Sequence, residues 1–506
     1  MGFNKKIGFD SQKYLREQTK YILQRVKGVK GKLYLEFGGK ILCDYHAARV
    51  LPGFDPNAKI KLLQKLKKQA DLILCISAID IERKKVRADF GLTYDLYILM
   101  MINELKNWGL DVVGVVITRF TNQPSALIFK DKLERQGIKV YLHQPIKDYP
   151  HNLNLIVSDL GYGLNDYLQT KKPLVIITGP GPGGGKLGTC LSQLYHDYKK
   201  GIKSGYAKFE TFPIWNLPLN HPVNMAYEAA TADLGDFNQV DPFHLKTYQE
   251  KTINYNRDVE AFPVVEKILK KITGKVVYQS PTEMGVNRAG FCITNDKVVK
   301  EAAQQEIIRR YFKYHCEYIT GLTDRKTISR IESILKKLNL KPEDRPVVKP
   351  AREKATKASK KRKNNHQIVA AAALELKEGL IVTGKSSSLM SAASSTILNA
   401  IKVLAKIPDR IHLLSPKSIK SINRLKKDYF YLKDNGLNLE ETLIALSMSV
   451  DNNPSAKKAL RKLKELNDSE MHLTHLPQIH DEAALRRLEI NFTSDPKFPT
   501  KGLFVI

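Results

Sequence analysis

The sequence predicts an α/β fold, a mostly parallel sheet with helices on both faces, and three observations carry that reading. The first is a series of short, continuous apolar runs: Lys32 to Phe37, Asp71 to Ser77, Asp111 to Thr118, Lys139 to Leu142, Leu153 to Ser158 and Leu174 to Ile177. Strands without polar alternation are strands buried on both faces. The second is that amphipathic helical stretches separate most of these runs, as parallel crossovers require. The third is that polar or glycine-rich clusters follow the runs, where ligands of open α/β sheets bind.

The elements follow in order. Residues 11 to 27 place Leu15, Tyr21, Ile22 and Val26 at helical spacing. The first strand ends at Glu36 and Phe37 and is broken by Gly38-Gly39. Further helices are expected at Ala58 to Gln69, Tyr94 to Trp108 and Ser125 to Gln136, each leading to a strand. From Gly201 the text changes to long loops rich in Asn, His, Asp and aromatics, among them Lys208 to Leu219 and Asn254 to Asp258; loops of this kind tend to carry function. Long helices are expected at Glu301 to Tyr318 and Thr327 to Leu338. The predicted organisation is an N-terminal α/β region over 1–325, a helical connector and basic linker over 326–366, and a C-terminal α/β domain over 367–506.

The chemistry-bearing stretch is Pro173 to Thr189, PLVIITGPGPGGGKLGT. A strand passes into a turn holding Gly179, Gly181, Gly183, Gly184 and Gly185, then into Lys186 and a helix. That is the arrangement of a phosphate cradle, P-loop or Rossmann-like: glycine permits positive φ and close approach, and helix N–H groups and a lysine meet an anion. Gly184 is read as one of the positions needing that freedom. The match is degenerate. Pro180 stands where the pattern wants glycine, and Leu187 stands where a hydroxyl would hold magnesium, so Thr178 and Thr189 are the candidate replacements. Asp159, read as ending the run Leu155 to Ser158, is the candidate magnesium-supporting acid, with Asp80 a second metal candidate. Arg83 or Arg87 is placed to stabilise charge developing on a transferred group. The other reading of the same residues is a turn that merely joins a strand to a helix, with the aspartates as helix caps and the arginines on a solvated face.

Composition narrows the class. At 506 residues, 42% hydrophobic and 26% charged, the chain has ample material for a globular core. No apolar run reaches the length of a membrane span, and the N-terminus lacks a signal-peptide apolar region. The five cysteines are scattered and form no C-x-x-C, which fits reduced thiols in a cytoplasm and not a disulfide frame or zinc site. The formal charge of +30 is spread over nearly every helix, and no nucleic-acid module is recognisable. Gly384-Lys385-Ser386 lacks the upstream glycines of a phosphate loop and reads as a strand leading to a serine-capped helix.

The segments KLYLEFGGK, DYHAARVLPGFDP, PGPGGGK, FETFPIWNLPLNHPVN, YEAATADL, DPFHL and NYNRDVE resemble the bacterial family labelled domain of unknown function eighteen-forty-six, over essentially the whole chain. The resemblance implies an intracellular protein of two regions and brings no activity, substrate or catalytic residue. The functional expectation therefore rests on the residues. It is a cytoplasmic protein binding a nucleotide or phosphorylated small molecule, with ATP or another nucleotide and magnesium as the candidate cofactors, and a kinase-like phosphotransferase as the enzymatic form. The alternative is a non-catalytic metabolite-binding or scaffold protein in which the loop is structural. No membrane partner is expected, a nucleic-acid partner is disfavoured, and oligomeric state stays open.

Overall fold

The computed structural model describes residues 7–87, 91–360, 368–431 and 436–500. They fall into two compact units, one of residues 7–231 and 236–303, the other of residues 232–235 and 304 onward.

In the first unit, among the described residues, six strands form one all-parallel sheet: β1 (Leu33–Phe37), β2 (Ala70–Ser77), β3 (Val112–Thr118), β4 (Val140–Leu142), β5 (Leu174–Thr178) and β6 (Gly205–Phe209). Their spatial order is β4-β3-β2-β5-β1-β6. Every residue of β1, β2 and β5 is buried, which is why their runs are apolar throughout and do not alternate. The helices α1 (Ser11–Lys27), α2 (Ala58–Leu66), α3 (Ala78–Glu82), α4 (Tyr94–Asn107), α5 (Pro124–Arg135) and α6 (Lys186–Lys199) surround the strands. On one sheet face Tyr34, Ile73, Cys75, Val116, Val175, Ile177 and Tyr206 pack against Cys190, Leu191 and Leu194 of α6. A further helix, α7 (Asn256–Thr273), adds Phe262, Val265, Ile268 and Leu269 to the same core.

Two elements depart from the sequence reading. Leu153 to Ser158 is no strand: Leu153–Ile156 is one helical turn, capped by the Asn152 side chain. Its apolar residues Leu153, Ile156 and Val157 stand at i, i+3 and i+4, which is helical spacing. The sixth strand is β6 instead, on the sheet edge, with Lys208 interrupting its apolar run. The edge is partly covered, since Val286 N–H donates to the Lys208 carbonyl at 2.9 Å.

Strand order fixes where a ligand can sit. From β2 the chain travels through α3 and α4 to β3 on one side; from β5 it travels through α6 to β6 on the other. β2 and β5 are neighbours, so the crevice above their carboxyl ends is a topological switch point. The glycine loop closes one wall of that crevice.

The second unit contains a mixed four-stranded sheet of β7 (Ala371–Glu375), β8 (Ile381–Lys385), β9 (Glu470–Leu473) and β10 (Asn491–Ser494), in the order β8-β7-β9-β10. Its core gathers Leu374, Ile397, Leu446, Met471 and Leu485. Gly384 and Lys385 end β8, and Ser391 caps the helix Ala392–Leu404, in line with a strand leading to a serine-capped helix. The stretch read as a linker is, over Val348–Lys360, a helix of this unit that buries Val348, Ala351 and Ala358. Residues 361–366 of the expected linker lie outside the described residues.

Candidate functional site

The loop after β5 is built by glycine geometry. Gly183 and Gly185 hold φ of 74° and 86°, in the left-handed region that a Cβ disfavours. Gly184 does not, so the conformational demand falls on its two neighbours. Gly181 has another reason: a Cβ there would stand 2.5 Å from the Tyr94 hydroxyl.

The loop's carbonyls are taken up by donors of the protein. Lys186 Nζ donates to the Gly181 carbonyl at 3.2 Å, Arg119 Nη2 to Gly183, and Thr118 Oγ1 to Gly184 at 2.9 Å. On the other side, the N–H groups of Gly185, Lys186, Leu187 and Gly188 open α6, where no intrahelical acceptor exists, and Gly185 brings no side-chain cap. Oxygens held at the rim and N–H groups left at the helix mouth give the loop the polarity that suits an anion.

Register then places a row of polar side chains beneath the loop. Ser77 pairs with Thr118, and Glu36 with Lys208. Alternation along each strand sets all four on the face that α6 covers, since Cys75, Val116, Tyr34 and Tyr206 lie there two residues earlier. Thr118 holds the loop. The Ser77 hydroxyl is fully buried and has no hydrogen-bond partner among the described residues. Glu36 accepts from the Tyr206 hydroxyl at 2.8 Å. Lys208 meets both carboxylate oxygens of Asp258, in the first turn of α7, at 2.5 and 2.6 Å, and Glu210 at 3.3 Å. Burial opposes the Lys208 charge, yet Asp258, Glu210 and Glu36 overcome it and raise its pKa. Burial also raises the Glu210 carboxyl, against the pull of Lys208. Gly38 lets this group approach: a Cβ there would stand 2.5 Å from Glu210 Cγ.

The residues singled out from sequence separate clearly. Gly179, Gly181, Gly183, Gly184, Gly185 and Lys186 form the loop, and Gly179 lies against the Cys75 carbonyl. Asp80 lies in α3 at the end of β2 and pairs with Lys85 at 3.6 Å; Lys85 in turn covers the Tyr94 ring. Arg83 ends α3 and is exposed. The Arg87 side chain lies outside the described residues. Thr189 turns inward: it is buried, with its hydroxyl 3.5 Å from Cys75 Sγ and 3.5 Å from His143 Nδ1. Thr178 is equally buried and its hydroxyl has no partner among the described residues.

Asp159 is the clear correction. It accepts from the Tyr195 hydroxyl at 2.7 Å and pairs with Lys199 at 3.2 Å, both near the C-terminal end of α6. Lys186 begins that helix, so the two ends are about 20 Å apart at 1.5 Å per residue. Once Leu153 to Ser158 is not a strand, nothing carries Asp159 to the carboxyl edge of the sheet. Sequence reading also missed Lys208, Glu210 and Asp258 as a group; the signal was a lysine between buried aromatics in a short run, with one acid two residues on and the other 50 residues away. Among the described residues, no group of three or more His, Cys, Asp or Glu side chains is arranged to hold a metal ion.

Comparison with known families and proteins gives a consistent result. The family described as domain of unknown function DUF1846, N-terminal, matches residues 7–339, and its C-terminal counterpart matches residues 343–504. The chain is 53% identical over 500 residues to a UPF0371 protein of Clostridium tetani, covering 99% of both chains. It is 53% identical over 500 residues, at the same coverage, to UPF0371 proteins of several Clostridium botulinum strains.

Proposed function

From a chain that belongs to the DUF1846 family, in which no activity is established, we propose a protein that binds a nucleotide or another phosphorylated small molecule at the loop Gly179 to Lys186. The observation that carries this reading is the loop's polarity. Its carbonyls are engaged by Lys186, Arg119 and Thr118, while the N–H groups of Gly185 to Gly188 are left at the helix mouth, beside the switch point between β2 and β5. A phosphate there meets backbone N–H groups and, once Lys186 turns from Gly181, its ammonium.

A kinase-like phosphotransferase asks for more: a held magnesium and a cation for the transferred charge. Leu187 offers no hydroxyl, and Asp159 stands at the far end of α6. Of the candidates named from sequence, Asp80 and Arg83, at the end of β2, stay available among the described residues for those parts. Magnesium keeps waters and leans on substrate phosphates, so a single carboxylate suffices for it. No helix of the described residues is long and apolar enough to cross a membrane.

The second reading is a structural loop in a metabolite-binding or scaffold protein. It is favoured by Gly181 and Gly185, whose Cβ atoms would strike Tyr94 and Thr118 whether or not a ligand binds. Thermal-shift titration with ATP, GTP and phosphorylated metabolites, with and without magnesium, tests the proposal. A rise in melting temperature with at least one ligand, lost in Lys186→Ala, supports it. No shift with any of them favours the structural loop.

A further inference from the structure

Resting on the reading of the loop as a phosphate site, we infer that its ligand is a short phosphorylated polyol or amino alcohol whose far end lies against Glu210, Lys208 and Asp258. Two observations carry this. Beneath the loop, Ser77 keeps a buried hydroxyl on the α6 face without a partner among the described residues, and Thr178 keeps another on the opposite face, where β5 enters the loop. Buried polar groups are nearly always hydrogen-bonded, so orphans at a loop of this polarity point to a ligand. Along the same edge, β1 and then β6 follow β5, so Lys208 stands two strands away, about 10 Å at the usual strand spacing. That is the reach of a small phosphorylated molecule.

The chemistry of the far end selects the ligand class. Three carboxylates, Glu36, Glu210 and Asp258, surround one ammonium, Lys208. Glu36 is occupied by Tyr206 and Asp258 by Lys208, while Glu210 touches Lys208 through Oε1 alone and keeps about a quarter of its side chain exposed. A partly exposed carboxyl group held by one lysine contact has room for a further polar partner, which a hydroxyl or an ammonium supplies. A nucleobase gains most instead from a flat, open face to stack on. The aromatics near this end are spent on one another: Phe212 stacks on Tyr227, Tyr227 packs on Tyr255, and the Tyr255 hydroxyl donates to the Phe212 carbonyl at 2.6 Å.

Calorimetric titration tests the inference with four probes: inorganic phosphate, glycerol phosphate, phosphoethanolamine and ATP. Wild type is expected to bind glycerol phosphate or phosphoethanolamine roughly tenfold or more tighter than both inorganic phosphate and ATP, one charge-assisted contact being worth about that factor. Glu210→Gln should remove that advantage and leave inorganic phosphate unchanged. ATP as the tightest probe, indifferent to Glu210→Gln, overturns the inference and leaves the loop reading standing. Failure of all four probes to bind overturns both. The ranking in wild type needs no variant, so a poorly folded Glu210→Gln protein leaves the test intact.

Discussion

Lys186 is the residue on which the phosphate reading turns. Its ammonium rests on the Gly181 carbonyl and is partly exposed, so the fold does not depend on it. Lys186→Ala should lower affinity for a phosphorylated ligand by roughly ten- to a hundredfold, the loss of a contact of about 1.5–3 kcal/mol, with the melting temperature unchanged. Asp159→Ala should leave affinity untouched, since its partners are Tyr195 and Lys199 near the far end of α6; a drop comparable to that of Lys186→Ala would place the acid back in the site. Gly185→Val should behave differently from both. It forces a β-branched residue to φ of 86° and its Cβ to 2.6 Å from Thr118 Cγ2, so stability falls together with binding.

At the scale of elements, two buried groups support the sheet's carboxyl edge. Lys59 on α2 meets Asp44 at 2.9 Å, both nearly inaccessible, and lies where Gly39 passes close. Lys59→Met leaves Asp44 buried without its counter-charge and should cost about 3–5 kcal/mol in urea unfolding at neutral pH. His143 follows β4 and is buried against Thr189 and the Asp166 carbonyl. Burial lowers its pKa to about 4, so the folded protein holds it neutral while the unfolded chain takes up a proton below the ordinary histidine value. Its contribution is therefore complete above about pH 6.5 and is lost as pH falls towards 4, by up to about 3 kcal/mol. Unfolding free energies measured across that window should fall with pH in wild type and fall less in His143→Gln. An identical slope in both would remove His143 as the cause.

The elements also show what could be read in advance. β1, β2, β5 and most of β3 were legible because burial on both faces leaves continuous apolar runs such as DLILCIS and PLVIIT, while the half-buried edge strand β4 was legible only as a short apolar run. β6 was not, because Lys208 breaks its run, and that lysine is charged for the sake of Asp258 and Glu210, which lie far off in sequence or beyond the strand end. Leu153 to Ser158 misled because a short apolar stretch fits one helical turn as well as a strand, and the error carried Asp159 into the site with it. The helix Val348–Lys360 hid behind its lysines, with Val348, Ala351 and Ala358 as its buried side chains.

For the whole molecule, the decisive feature is topology. The parallel sheet, its reversal between β2 and β5, and the helix that begins at Lys186 put one anion-friendly loop above one row of polar side chains. The net charge of +30 adds a field that favours anionic ligands at any such site, most strongly at low salt. The most direct measurement is a crystal structure of the protein saturated with a phosphorylated ligand that it binds in calorimetry. The phosphate should lie within hydrogen-bond reach of the N–H groups of Gly185 to Gly188, with Lys186 turned from the Gly181 carbonyl onto it. A ligand bound elsewhere, with Lys186 still on Gly181 and the helix mouth empty, would contradict the phosphate cradle.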